Sequence, residues 1–286
     1  LTVLHRADLE TLWLLGRPVS HSLSPLIQNT ALRKLGLPVI YLAACVEDQS
    51  LEAAVRGLAS LGALGANVTV PHKEAAFRLC DSLSARARAM GACNVLKFAG
   101  GKVFGDNTDG AGWLRGIVEV GELPRRALVI GAGGAARAIV HSLVCRRVPE
   151  IVVLNRTLER AQALVSSFSA QQHTRFKAAS NEDFLLHLEP ECLVVQTTSA
   201  GLDEASSPLP VLRSWPDRAI LSELIYGRET PLSSQVKKLG GVVHDGLPML
   251  VYQAAESLSI WLDRPLAEIP AQLMLDTARQ HLSTLS

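Results

Sequence analysis

The sequence predicts an α/β protein in two domains, on three observations. Its 286 residues exceed what one compact core normally holds. Short apolar runs alternate with amphipathic helical stretches, the pattern of a mainly parallel sheet. The alternation breaks at an acidic, glycine-rich stretch around Gly105 to Gly112 and then starts again. The domains are expected at 1–112, completed by 247–286, and at 113–246.

In the first domain, Leu12 to Leu15 reads as a strand ended by Gly16. Pro25 to Leu35 reads as a helix, with proline near its start and Gly36 after its end. Ile40 to Val46 is the next strand, Ser50 to Leu61 a helix, and Ala66 to Val70 a third strand closed by Pro71. In the second domain, Ala127 to Ile130 is a buried strand, Gly131 to Ala136 opens a helix, and Ile151 to Leu154 is a strand. Cys192 to Gln196 and Ala219 to Leu224 are later strands. The tail is helical over Met249 to Leu262 and Pro270 to Leu282. It has no strand of its own to cover and is expected to pack back on the first domain.

Composition narrows the function classes. Formal net charge is +1, which argues against a nucleic-acid or polyanion binder. The five cysteines are odd in number, widely spaced and free of any CxxC, as in a reduced cytoplasmic protein. The eight histidines show no ligand spacing with them, so no metal is expected. No apolar run is long enough to span a bilayer. His5, Arg6, Asp8, Glu10 and Arg17 exclude a signal-peptide core at the start. The chain begins at Leu1, and the sequence leaves open whether residues preceded it.

The strongest local motif is Gly131-Ala132-Gly133-Gly134-Ala135-Ala136, a G-x-G-x-x-A fingerprint between an apolar strand and a helix. Glycine lets backbone approach a pyrophosphate, and the helix N-terminus offers it unpaired N–H groups. At the end of the next strand an NAD site usually has a carboxylate for the ribose hydroxyl. This chain has Asn155-Arg156-Thr157 and then Arg160, and guanidinium groups suit a 2′-phosphate. NADP is therefore expected, bound in a Rossmann domain.

Three polar clusters mark the first domain. Ser20 to Pro25 is a hydroxyl-rich helix start, which could hold a small carboxylate or simply be an N-cap by Ser24. Asn67 to Lys73 runs off a strand end, where ligands bind in open α/β sheets. Gly105-Asp106-Asn107-Thr108-Asp109-Gly110 has the composition of a turn. Singly, none decides a function.

Together these stretches resemble the shikimate dehydrogenase family from near the start to about residue 265. The resemblance rests on Ser20 to Pro25, Asn67 to Lys73, Gly91 to Asn94, Asn107 to Gly110, Gly131 to Ala136, Asn155 to Thr157, and Asp245-Gly246 through Gln253-Ala254. It implies a substrate domain, an NADP domain and returning C-terminal helices. It also implies reversible NADPH-dependent reduction of 3-dehydroshikimate to shikimate. By resemblance, Lys73 and Asp109 are the catalytic pair. Ser22 and Ser24 would hold the substrate carboxylate with Tyr226, while Thr69, Asn94 and Gln253 would bind ring hydroxyls. Gly246 and Leu224 would touch the nicotinamide end. The physical logic agrees: hydride transfer to a ketone leaves an alkoxide, which Lys73 can protonate while Asp109 orients it.

Three positions depart from the family pattern: Gln28 in place of His, Gln196 in place of Asn, and Pro248 in place of Gly. Three other readings compete. A quinate/shikimate dehydrogenase would differ around Ser22, Ser24 and Tyr226. A non-catalytic shikimate- or quinate-binding sensor could dispense with the Lys–Asp pair or the glycines, yet both are present. A methylenetetrahydrofolate dehydrogenase would not need Asn107 to Gly110 or the two serines. The expected partner is a small molecule, without nucleic acid or membrane, in a monomer or homodimer.

Overall fold

A computed structural model describes residues 9–119, 121–202 and 206–284. His5, Arg6 and Asp8, used above against a signal peptide, lie outside them. The chain divides into two compact units: Leu1–Gly112 with Leu250–Ser286, and Trp113–Met249.

The first unit runs β1 (Glu10–Gly16), α1 (Ser24–Lys34), β2 (Val39–Cys45), α2 (Leu51–Ser60), β3 (Gly65–Val68), α3 (Lys73–Leu79), β4 (Ser82–Leu83), α4 (Ala85–Met90), β5 (Val95–Ala99) and β6 (Lys102–Asp106). Its sheet has the order β2-β1-β3-β5-β6-β4. Strands β1, β2 and β3 are parallel, and β5 runs antiparallel to both β3 and β6. Leu15, Ala66, Val68, Leu96 and Val103 pack one sheet face against Leu51, Val55, Ala76 and Ala87 of the helices. Each fully buried leucine or valine there contributes ~1.5–3 kcal/mol.

Helix α5 (Asp109–Val118) carries the chain into the second unit, and α10 (Leu247–Leu262) carries it back. The last helix, α11 (Ala271–Ser283), packs on α1. Trp261 of α10 donates its Nε1–H to the Leu96 carbonyl at 2.9 Å. The helical tail thus covers the first unit's sheet.

The second unit runs β7 (Arg126–Ile130), α6 (Gly134–Cys145), β8 (Glu150–Asn155), α7 (Leu158–Ser166), β9 (Arg175–Ser180), α8 (Phe184–His187), β10 (Leu193–Gln196), β11 (Ile220–Glu223), α9 (Pro231–Lys238) and β12 (Val242–His244). Its sheet is wholly parallel in the order β12-β11-β10-β7-β8-β9, a doubly wound Rossmann arrangement. The central strands β7, β8 and β10 are mainly apolar because both faces are covered, whereas the edge strand β9 carries the exposed Arg175 and Lys177. Val129, Val153 and Val195 face Ile139, Val140 and Leu164, while Leu128, Val152 and Val194 face Phe184, Leu232 and Val236.

Two local expectations change. Gly105 to Gly112 is not one turn. It divides between the end of β6 and the start of α5, whose first helical bond runs from Gly112 N–H to Thr108 O at 2.9 Å. An aspartate at a helix start is favoured by the helix dipole, which turn composition alone does not reveal. Nor does Ser24 cap α1. Leu23 precedes the helix without a side-chain cap, and Ser24 is the first helical residue. Its N–H is taken instead by Ser22 Oγ, at 3.2 Å.

Candidate active site

Sheet register brings distant residues of the first unit to one edge. Asn67 pairs with Val95, and Val95 with Asp106, so β3 ends, β5 begins and β6 ends in one row. The residues just beyond that row are Thr69 to Lys73, Asn94, and Asn107 to Asp109. Open α/β sheets bind their ligands at this kind of strand end.

Lys73 is the first residue of α3, and Asp109 the first of α5. Lys73 Nζ donates to Asp109 Oδ2 at 2.6 Å. The side chains are 17% and 6% exposed, so this is not a solvated surface pair. Removing one member of such a pair leaves an uncompensated charge that costs ~3–5 kcal/mol. The dipole of α5 adds support to the Asp109 carboxylate.

Asn94 fixes the other side of Asp109. Its Oδ1 accepts the Thr108 N–H at 2.8 Å, which sets the amide's orientation. Its Nδ2 therefore faces Asp109 Oδ1 at 2.8 Å, Thr108 Oγ1 at 3.0 Å and Gln253 Oε1 at 3.2 Å. Two hydrogens serve three acceptors, so one bond is shared. The structure thus joins Lys73, Asp109, Asn94 and Gln253 in one hydrogen-bonded cluster.

Behind it lies a layer that sequence reasoning did not assign. Asn67 Nδ2 donates to Asn94 O at 2.9 Å and to Ser257 Oγ at 3.0 Å. Tyr41 OH donates to Asn67 Oδ1 at 2.8 Å, and burial pushes the Tyr41 phenol well above its ordinary value, which keeps it a donor. Ser257 Oγ donates to Gln253 O at 2.9 Å and lies 3.3 Å from Thr108 Oγ1. Gly112 lets α5 approach α10, since a Cβ there would meet Gln253 Cα at 2.7 Å. The signal for this layer was the polar residue at each buried position, which only the fold identifies as buried.

Thr69 is half-buried just past β3, and its N–H donates to Leu15 O at 2.9 Å. A Cβ on Gly16 would strike Thr69 Cγ2, so the chain leading to Ser22 and Ser24 starts beside Thr69. No hydrogen bond among the described residues ties Ser22, Ser24 or Thr69 to the Lys73 cluster. Tyr226 belongs to the second unit, half-buried in the segment after β11.

In the second unit, Gly131 ends β7 with φ +113°, and a Cβ there would meet Thr197 Oγ1 at 2.5 Å. Gly133 caps α6 without any side chain, and Gly134 and Ala135 form its first turn. The first N–H groups of α6 are therefore left for an anion. This turn sits where β7 and β10 meet and the winding reverses. Ala132 is buried in the same turn. Asn155 Nδ2 donates to Thr157 O at 2.8 Å and shapes the turn that presents Arg156. Arg156, Thr157 and Arg160 are exposed at the start of α7. Gly246 lies against the Leu224 carbonyl, so no side chain fits there. A glycine turn, a bare helix start and two arginines are a donor set that fits a dinucleotide with an added phosphate.

The three departures have structural settings. Gln196 ties down its own loop, donating to Thr198 Oγ1 and Ala200 O and accepting from Thr198 N–H. Pro248 packs against Gly116 of α5. Gln28 is fully buried and donates to Ala254 O at 3.2 Å, with Oε1 unpaired. Among the described residues no group of His, Cys, Asp or Glu could hold a metal ion, and no helix is long and apolar enough to cross a membrane.

Residues 14–96 match the model of the shikimate dehydrogenase substrate binding domain, and residues 119–200 that of shikimate / quinate 5-dehydrogenase. The chain is 37% identical to shikimate dehydrogenase (NADP(+)) of Methanopyrus kandleri, over 96% of this chain and 97% of that one. It is 40% identical to the protein of that name from Geobacter metallireducens, over 87% and 90%. Shikimate 5-dehydrogenase of Thermus thermophilus, solved in complex with NADP(H) and shikimate, superposes with a TM-score of 0.82 at 33% identity, covering 95% of this chain and 99% of that one.

Proposed function

The chain belongs to the shikimate dehydrogenase family, and on that premise we propose that it reversibly reduces 3-dehydroshikimate to shikimate with NADPH. The step belongs to the shikimate pathway of aromatic amino-acid biosynthesis, run in the cytoplasm by a monomer or homodimer. The observation that carries the reading is the largely enclosed Lys73–Asp109–Asn94 cluster, held to Gln253.

NADPH supplies the hydride when bound. The protein's own part is to place the ketone and move one proton. Lys73 Nζ gives a proton to the oxygen that becomes the new hydroxyl and takes it back in the oxidation direction. Asp109 holds the ammonium in place, and Asn94 holds Asp109. Asn94, Gln253 and Thr69 bind ring hydroxyls, and Ser22 and Ser24, with Tyr226, hold the carboxylate. In the second unit, Gly131 to Ala135 receive the pyrophosphate at the start of α6, and Asn155, Arg156, Thr157 and Arg160 receive the 2′-phosphate. Leu224 and Gly246 contact the nicotinamide end. Substrate and cofactor are small molecules; neither nucleic acid nor membrane takes part.

The test is kcat/KM for shikimate and for quinate, each with NADP⁺ and with NAD⁺. Shikimate with NADP⁺ is expected to exceed every other pair by ~10-fold or more, the scale of losing one built hydrogen bond or charge contact. Equal use of quinate, or a preference for NAD⁺, would replace this reading with the broader quinate/shikimate enzyme. Tight shikimate binding without turnover would indicate the sensor.

A further inference from the structure

The cluster is buttressed by a cation outside it. Arg86, in the first turn of α4, donates Nε to Asp106 Oδ1 at 2.7 Å and Nη2 to Asp106 Oδ2 at 3.0 Å. Its Nη1 donates to Glu256 Oε2 at 3.1 Å. The side chains of Arg86, Asp106 and Glu256 are 28%, 9% and 23% exposed. Asp106 also accepts from Ser84 Oγ at 2.5 Å and from Asn107 N–H at 2.7 Å.

The placement of the two carboxylates gives this group its meaning. Asp106 ends β6, three residues before Asp109. Glu256 lies on α10 one turn after Gln253, on the same helix face. We propose that Arg86 is a positioning residue of the catalytic cluster, holding the loop of Asp109 and the helix of Gln253 in one geometry. The inference rests on the function proposed above.

The guanidinium suits this task because its planar fork grips one carboxylate with two bonds and leaves a third donor for another. A lysine ammonium is a point charge and cannot reproduce that geometry. Burial alone pushes the Asp106 carboxyl up, but the Arg86 hydrogen bonds and charge, with Ser84 and the Asn107 N–H, hold it below its ordinary range. Without Arg86, the Asp106 and Glu256 carboxylates lose their common cation. Asp106 is then a buried charge held only by Ser84 and the Asn107 N–H, and its loop shifts toward water.

The test uses the whole enzyme with Arg86→Ala and Arg86→Lys. The shikimate KM of Arg86→Ala should rise ~10-fold or more, because misplaced binding groups lose affinity and alignment together. The NADP⁺ KM should stay within ~2-fold, since no cofactor group is touched. Arg86→Lys should regain less than half of the loss, while added guanidinium chloride at millimolar concentration should partly rescue Arg86→Ala. Amide exchange at 107–109 and 253–257 should quicken in both variants without substrate.

An unchanged shikimate KM, a parallel rise in both KM values, full recovery by lysine, or unchanged exchange would overturn the proposal. If Arg86→Ala does not fold, Arg86→Lys carries the same comparisons. A wild-type protein that cannot oxidise shikimate would overturn the proposed function instead, and exchange would still decide the clamp.

Discussion

The proposed catalytic cluster of the first unit and the proposed cofactor cradle of the second are built in opposite ways. The cluster consists of side chains that hold one another, the half-buried Lys73 and Gln253 with the buried Asp109 and Asn94, and behind them the buried Asn67, Ser257 and Tyr41. The cradle is made of backbone shape at Gly131 and Gly133, with Arg156 and Arg160 exposed beside it. The difference follows from the two tasks. Proton transfer loses rate steeply with misplacement, so its groups are locked in advance. A phosphate is attracted over a longer range by charge and N–H dipoles, and exposed arginines can close on it after it arrives.

The largest expected effect tests the locked cluster. Lys73→Ala should lower kcat by ~10²–10⁴ while leaving NADPH affinity near normal. A variant with more than half of wild-type kcat would remove Lys73 from the chemistry. Next, the rigid part of the cradle can be broken with Gly131→Val. The +113° backbone and the nearby Thr197 Oγ1 exclude that side chain, so NADPH should bind ~100-fold more weakly by fluorescence titration. Ordinary affinity would show that the turn tolerates a side chain. The adaptable part should yield less. Arg156→Ala and Arg160→Ala should each weaken NADPH binding ~10-fold and leave NADH almost unchanged. Equal losses for both cofactors would mean that these arginines do not read the 2′-phosphate.

The smallest effect comes from an exception to the contrast. Glu223, in the second unit, is buried, accepts from Thr230 Oγ1 at 2.8 Å and from Ile225 N–H at 3.2 Å, and its carboxyl is pushed up to about 7 by burial. Below the ordinary value of 4.5, folded and unfolded chains both hold the proton. Between there and about 7 only the folded chain holds it, so this contribution to stability falls as pH rises and is flat beyond. Glu223→Gln should remove that slope, a change on the order of 1 kcal/mol read from urea midpoints at pH 5 and pH 8. Identical slopes in both proteins would mean that Glu223 is ionised throughout.

The contrast also explains what could be read in advance. Strands with both faces buried, such as Ala127 to Ile130, are continuous apolar runs and stood out. So did the glycine turn, because its proposed function lies in local backbone. The β5–β6 hairpin escaped notice, although Gly100-Gly101 between VLKFA and KVFGD is a strong two-residue turn signal. That omission hid why Asn94 and Asp109 meet, since the hairpin returns the chain to the edge it left. Lys73 and Asp109 were singled out through motif resemblance. Ser257, Tyr41 and Arg86 were not, because a serine, tyrosine or arginine on an amphipathic helix or strand looks the same whether it faces water or a buried partner.

The hairpin has a practical consequence. Both of its roots, Asn94 and Asp106, stand at the edge that carries the Lys73 cluster, while its tip at Gly100-Gly101 is exposed at the opposite end of the strands. The tip is therefore a natural handle for the laboratory. A peptide tag or dye inserted between the two glycines would hang in solvent about five strand residues from the Lys73 cluster (~17 Å at the usual rise). It would report on the strand pair that frames the proposed catalytic cluster while leaving every residue of that cluster untouched.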